Sequence, residues 1–144
     1  MIVYLDSSAL VKLYVQESGT DAMHDLVLRS AACATSAIAY AETRAALARR
    51  HREGVIGTPE MAEIKSALLD DWQRFFIVPV SIAVAKLAGD LAESHALRGM
   101  DAVHLATALW LREQQPAPLT LAAWDTRLLQ AALSVGLAVE GPGS

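Results

Sequence analysis

At 144 residues the chain fits one compact domain, and 53% apolar residues are enough to bury a full core and leave apolar surface for an interface. No apolar run approaches the roughly 18 residues of a membrane span, and a single cysteine, Cys33, excludes an internal disulfide. The formal net charge of −4 excludes a protein that holds nucleic acid by bulk positive charge. A local basic rim and a bound divalent cation would still let such a protein hold phosphate. The N-terminus carries no basic leader and Asp6 interrupts its apolar stretch, so no signal peptide is expected and a reducing cytoplasm fits best.

The apolar run at 2–5 reads as a buried strand, capped by Asp6, Ser7 and Ser8 and followed by a helix to about residue 17. Gly19 and Thr20 mark a restart, with a second helix over 21–29 and a brief strand over 33–35. Ser36 offers an N-cap for a long helix to Arg52, ended by Gly54. Thr58 as cap and Pro59 in the first turn start a helix to about residue 74. A third strand follows over 76–80. Ser81 then caps a helix ending near His95. Arg98 and Gly99 connect it to another helix over 100–113. Pro116 and Pro118 punctuate the next loop, before a fourth strand over 119–123 and a helix over 125–134. Gly136 stops that helix, and 137–139 reads as a short last strand. Short apolar strands alternating with helices predict an α/β fold with a parallel sheet covered on both faces. Residues 1–140 form the single domain of this reading, and 141–144 read as a tail or cloning scar.

Open sheets of this kind bind ligands beyond the carboxyl ends of their strands. Asp6 and Asp125 follow the first and fourth strands. Asp101 opens a helix, where the macrodipole favours its anionic form. Glu42 lies in an Ala-rich helical stretch whose small neighbours allow it to face inward. Helix capping explains each aspartate taken singly, and a solvated helix face explains Glu42. As a set they point further. Two carboxylates about 4 Å apart repel by on the order of 4 kcal/mol at an effective dielectric near 20. A divalent cation removes that conflict, and hard oxygen donors select Mg²⁺ or Mn²⁺. This is the apparatus of phosphodiester hydrolysis.

Supporting candidates follow from position. His104 lies one helical turn after Asp101 on an otherwise apolar face, which suits a core or ligand-supporting histidine more than a metal ligand. Arg49 shares a helix face with Glu42, about 10 Å along the axis, and is placed to meet a phosphate. Arg98 and Arg127 adjoin two of the acids and are placed to neutralise them or to hold a nucleic-acid phosphate. Trp124 precedes Asp125, where core packing is expected before base stacking. Cys33 reads as a small buried hydrophobe.

These residues resemble a known family. The opening IVYLDSSAL at 2–10, YAE at 40–42, LRGMDAVHLATA at 97–108 and DTRL at 125–128 stand in the order and spacing of PIN-domain ribonucleases, specifically the VapC-type toxins of toxin–antitoxin pairs. The resemblance spans residues 2 to about 140. It implies a PIN-like α/β/α sandwich with a central parallel sheet of four to five strands. It also implies RNA as substrate, a cognate antitoxin protein as inhibitor, and a homodimer. Ser7 resembles the family's hydroxyl after the first acid. One departure is Ala123, where the family often has a threonine two residues before the fourth acid.

The leading reading is a Mg²⁺- or Mn²⁺-dependent endoribonuclease with Asp6, Glu42, Asp101 and Asp125 as its catalytic and metal-binding set. Ser7, Arg49, Arg98 and His104 stand in support. The alternative is a non-catalytic metal- or partner-binding module on the same fold. A receiver-type phosphoacceptor is disfavoured, because Asp6 is followed by serine rather than a second acid and no lysine follows Leu87.

Overall fold

Strand β1 (Ile2–Leu5) lies at the centre of the molecule, and its side chains alternate between two cores. Val3 and Leu5 enter one, Tyr4 the other, and all three are fully buried. This computed structural model describes residues 1–143. The chain continues through α1 (Ser7–Val11), α2 (Thr20–Arg29), β2 (Ala32–Ser36), α3 (Ile38–Arg52) and α4 (Thr58–Trp72). It then forms β3 (Phe76–Val78), α5 (Ile82–His95), α6 (Gly99–Gln114), β4 (Leu119–Ala122), α7 (Thr126–Ser134) and β5 (Ala138–Glu140). All strands are parallel, in the order β3-β2-β1-β4-β5. Helices α1 to α4 bury Leu10, Met23, Leu47 and Leu68 against the face carrying Val3 and Leu5. Helices α5, α6 and α7 bury Leu91, Leu105 and Leu128 against the face carrying Tyr4. This is the α/β/α sandwich expected, with five strands.

The topology places the site. The chain winds outward from β1 through β2 to β3, then returns to β4 on the other side of β1. The strand order therefore reverses between β1 and β4, and a crevice opens beyond their carboxyl ends. Leu5 pairs with Ala122, so both strands end at the same level. The Asp6 N–H donates to the Ala122 carbonyl at 3.1 Å, fixing Asp6 at the lip.

Several element boundaries differ from the sequence expectation, each for a local reason. The first helix stops at Val11 rather than near residue 17. The chain instead turns under the Thr20 hydroxyl, which donates to the Val15 carbonyl and accepts from the Glu17 N–H. Ser36 ends β2, and Ala37 is the residue flanking α3. Gly57, not Thr58, flanks α4, which ends at Trp72. Strand β3 stops at Val78 because Pro79 has no N–H to continue the ladder. In the 141–144 segment, Gly141 is buried: a Cβ there would meet Leu129 Cδ1 at 2.5 Å and the Ala123 carbonyl at 2.6 Å. Pro142 and Gly143 are exposed, and Ser144 lies outside the described residues. No described helix is long and apolar enough to cross a membrane.

Candidate active site

Asp6 is the most enclosed acid of the crevice, only 3% exposed. Its Oδ1 caps α1 by accepting the Ala9 N–H at 2.9 Å, and it also accepts the Ser8 hydroxyl at 2.7 Å. Among the described residues no lysine or arginine pairs with it. Burial raises its pKa above the usual aspartate range, and the Asp101 carboxylate adds to the rise. His104, the Ser8 hydroxyl and the Ala9 N–H work in the opposite direction.

Asp125 repeats the arrangement after β4. Its Oδ1 caps α7 by accepting the Leu128 N–H at 2.8 Å. Its Oδ2 faces Arg98 Nη2 at 3.5 Å. Asp101 sits in the first turn of α6, with Oδ2 at 3.2 Å from Arg98 Nε. The Arg98 side chain, 80% exposed, thus stands between two of the acids. Glu42 reaches the site from α3, its Oε1 2.6 Å from His104 Nε2.

All four acids line one cavity of about 630 Å³, together with Ser7, Ser8, Arg98 and Trp124. They share a cavity rather than a closed ligand cage: among the described residues no three His, Cys, Asp or Glu side chains are grouped as they stand to hold a metal ion. A second cavity of about 530 Å³ adjoins it across Arg98, Asp101, Trp124 and Asp125, and Arg127 lines its outer side.

Arg49 is not brought to the cavity. Its Nε pairs with Glu53 at 3.0 Å one turn further along α3, and the side chain is 74% exposed. Two turns separate it from Glu42, so the shared face holds while the reach does not. Ser7 lines the cavity, but Ser8 carries the structural hydroxyl. Ser8 Oγ donates to Asp6 and accepts the Trp124 N–H at 2.8 Å, tying the two strand ends together. Sequence reasoning placed Ser8 in the cap after the first strand but gave the site hydroxyl to Ser7, although a position two residues after a strand-end acid is the place for a turn hydroxyl. Arg127 Nη1 donates to the carbonyl of Ala96, a left-handed residue at the end of α5. Trp124 is half-buried, packs over Gly19, and has Lys12 Nζ at 5.0 Å from its ring centre. Gly19 is required there, with φ of 95° and a Cβ position 2.6 Å from the indole. Cys33 is half-buried on β2, and burial pushes its thiol pKa up, the opposite of an activated nucleophile.

Comparison with known proteins agrees with the fold. The sequence profile of the PIN domain matches residues 3–131. Ribonuclease VapC49 of Mycobacterium tuberculosis is 39% identical over 138 residues, 96% of this chain and 94% of the relative. Among solved structures, Mycobacterium tuberculosis VapC20, described as a sarcin–ricin loop cleaving toxin, superposes with a TM-score of 0.67. It is 16% identical, covering 94% of this chain and 96% of that one. A toxin–antitoxin complex from Klebsiella pneumoniae superposes with a TM-score of 0.61 at 22% identity, covering 86% and 87% of the two chains. At those identities the two structures speak for the fold alone.

Proposed function

The chain belongs to the PIN domain family, within its VapC group, and from that premise we propose that it is an endoribonuclease acting as the toxin of a toxin–antitoxin pair. One observation carries the reading: Asp6, Glu42, Asp101 and Asp125, from four separate elements, line a single cavity at the strand switch point. The donor set fits a hard divalent cation. Among the described residues Asp6 is a buried carboxylate with no lysine or arginine paired to it, and the Arg98 guanidinium already lies between Asp101 and Asp125. Mg²⁺ keeps several waters and needs only one or two carboxylates, so an open cavity suffices.

The four acids would hold the ion, Mg²⁺ or Mn²⁺. When bound, it supplies an acidified water as nucleophile and stabilises charge on the phosphoryl oxygens. Ser8 orients Asp6, and the α1 cap holds the same carboxylate in place. Arg98, exposed at the mouth, offers a guanidinium to the phosphate of the RNA strand. Asp101 and Asp125 lie close enough to draw Arg98 back when no phosphate is present.

An acidic cavity of this kind invites a basic side chain from another chain. We assign that role to an arginine of a cognate antitoxin, whose planar fork pairs with carboxylates bidentately. We also assign the protein to the cytoplasm, and a homodimer as its working form. The test is incubation of the purified protein with total RNA in Mg²⁺ or Mn²⁺, with EDTA and Asp6→Asn as controls, and sequencing of the cleaved ends. Discrete cuts that need both the metal and Asp6 support the reading. Intact RNA at millimolar metal, or equal cleavage by Asp6→Asn, would overturn it and leave a non-catalytic module.

A further inference from the structure

Behind Glu42, beneath the cavity, lies a buried polar chain that the four acids alone do not explain. His104 lies on α6 and is 1% exposed, in a core made mostly of Leu, Ala and Val. Both of its ring nitrogens are satisfied. Nε2 is 2.6 Å from Glu42 Oε1, and Nδ1 is 2.8 Å from the hydroxyl of Tyr4, itself fully buried on β1. The Tyr4 and His104 rings pack edge to face at 5.8 Å.

The proton positions follow from donor inventory. An ionised carboxylate only accepts, so Nε2 carries a proton. In the neutral ring Nδ1 then accepts the Tyr4 hydroxyl proton. The chain therefore runs Tyr4 to His104 to Glu42, and every step is a donation toward the carboxylate. It also crosses the sheet. Helix α6 packs on the face carrying Tyr4 and α3 on the face carrying Leu5, so His104 reaches from one layer to a side chain of the other. Glu42 uses only Oε1 in this contact, which leaves Oε2 for the cavity it lines.

We infer that His104 is a positioning residue that holds Glu42 in the cavity with one carboxylate oxygen turned to a bound cation, and that Tyr4 braces it from behind. The inference rests on the cavity being a divalent-metal site. A packing role alone needs no imidazole: an apolar residue of similar volume would fill the space without a buried polar chain. Partners of this kind, one step removed from a metal, are worth about 10–100-fold in metal affinity or activity.

The experiment is calorimetric titration of the full-length protein with Mn²⁺, with thermal melting of each metal-free variant alongside. Tyr4→Phe disturbs the buried chain but keeps the imidazole beside Glu42. His104→Leu removes the donor to Glu42. His104→Gln restores an N–H donor toward Glu42. His104→Leu should bind Mn²⁺ about 10–100-fold more weakly than the wild type. Tyr4→Phe, which loosens the brace but keeps the imidazole beside Glu42, should lose less affinity than His104→Leu even where its melting temperature falls as far, and His104→Gln should recover most of the loss. RNA cleavage by His104→Leu should climb back toward the wild-type rate as Mn²⁺ is raised. Nitrogen NMR of the wild type should show the Nε2–H tautomer. If affinity merely follows melting temperature across the three variants, or the ring is the Nδ1–H tautomer, the positioning role is wrong. If the wild type itself takes up no Mn²⁺, the metal-site reading fails first and takes this inference with it.

Discussion

Replacing Ser8 by alanine tests whether the two strand ends are tied as the geometry shows. The hydroxyl makes two short hydrogen bonds, to Asp6 Oδ1 at 2.7 Å and from the Trp124 N–H at 2.8 Å. The first is made to a charged, buried group, and such bonds contribute about 1.5–3 kcal/mol. The second is an ordinary bond, whose loss costs roughly 0.5–1.5 kcal/mol. Ser8→Ala should therefore lower the unfolding free energy by about 2–4.5 kcal/mol, a large share of the roughly 5–15 kcal/mol typical of a domain. Urea unfolding of the metal-free protein at pH 7 measures it. Ser7→Ala is the control: it removes a hydroxyl from the same turn and the same cavity and should stay within about 0.5 kcal/mol of the wild type. Losing a donor should also lift the Asp6 pKa further. Equal stability of Ser7→Ala and Ser8→Ala would refute the reasoning.

Three further outcomes are expected. The Asp6 pKa is raised by folding, so its contribution to stability is fully present below the unfolded value of about 4 and is lost as pH rises through the folded value. The metal-free wild type should thus lose stability across that window while Asp6→Asn does not, and parallel urea midpoints for the two proteins between pH 4 and 7 would contradict this. Millimolar Mn²⁺ should raise the melting temperature of the wild type, by about 2.7 kcal/mol of stabilisation at 100 times its dissociation constant. Asp6→Asn and Asp101→Asn should show a blunted shift, and EDTA should abolish it. Light scattering at tens of micromolar should give twice the 15.4 kDa chain mass, and a monomer mass would count against the proposed dimer.

What the sequence revealed about the site divides by range. Asp6 and Asp125 are legible because a strand end followed by a capping acid is a local pattern, and the switch-point rule then brings two such ends together. Asp101 is legible from its place after a glycine. Arg49 misleads because helical periodicity gives a face and not a distance: its side chain pairs with Glu53 on its own helix. The Tyr4–His104 bond joins residues 100 apart, and the His104–Glu42 bond joins residues 62 apart. Nothing local announces either, and a histidine on an apolar face reads equally as plain core. Lys12 illustrates the same limit. It is buried, pairs with Glu17 at 3.1 Å and lies over Trp124, while Arg50 from α3 reaches the same Glu17. That cluster holds the turn after α1 and cannot be assembled without the fold.

Helix capping and the acidic cavity look like competing explanations for Asp6 and Asp125 when only the sequence is in view. The atoms show that they divide the labour. Each aspartate spends Oδ1 on the N–H groups that open the next helix, Ala9 for Asp6 and Leu128 for Asp125. On Asp125, Oδ2 is turned instead toward Arg98. The cap fixes the carboxylate plane, so the second oxygen is aimed without a flexible side chain having to be ordered when a ligand arrives. Glu42 is held by another route: its Oε1 meets His104 Nε2 at 2.6 Å while the side chain lines the same cavity. Three acids on three elements are thus each anchored by one oxygen, two by backbone and one by a buried imidazole. Anchoring of this kind holds carboxylates near one another despite their repulsion; the raised pKa of Asp6, the acid most deeply enclosed, comes first from its burial, with the Asp101 carboxylate adding the smaller part.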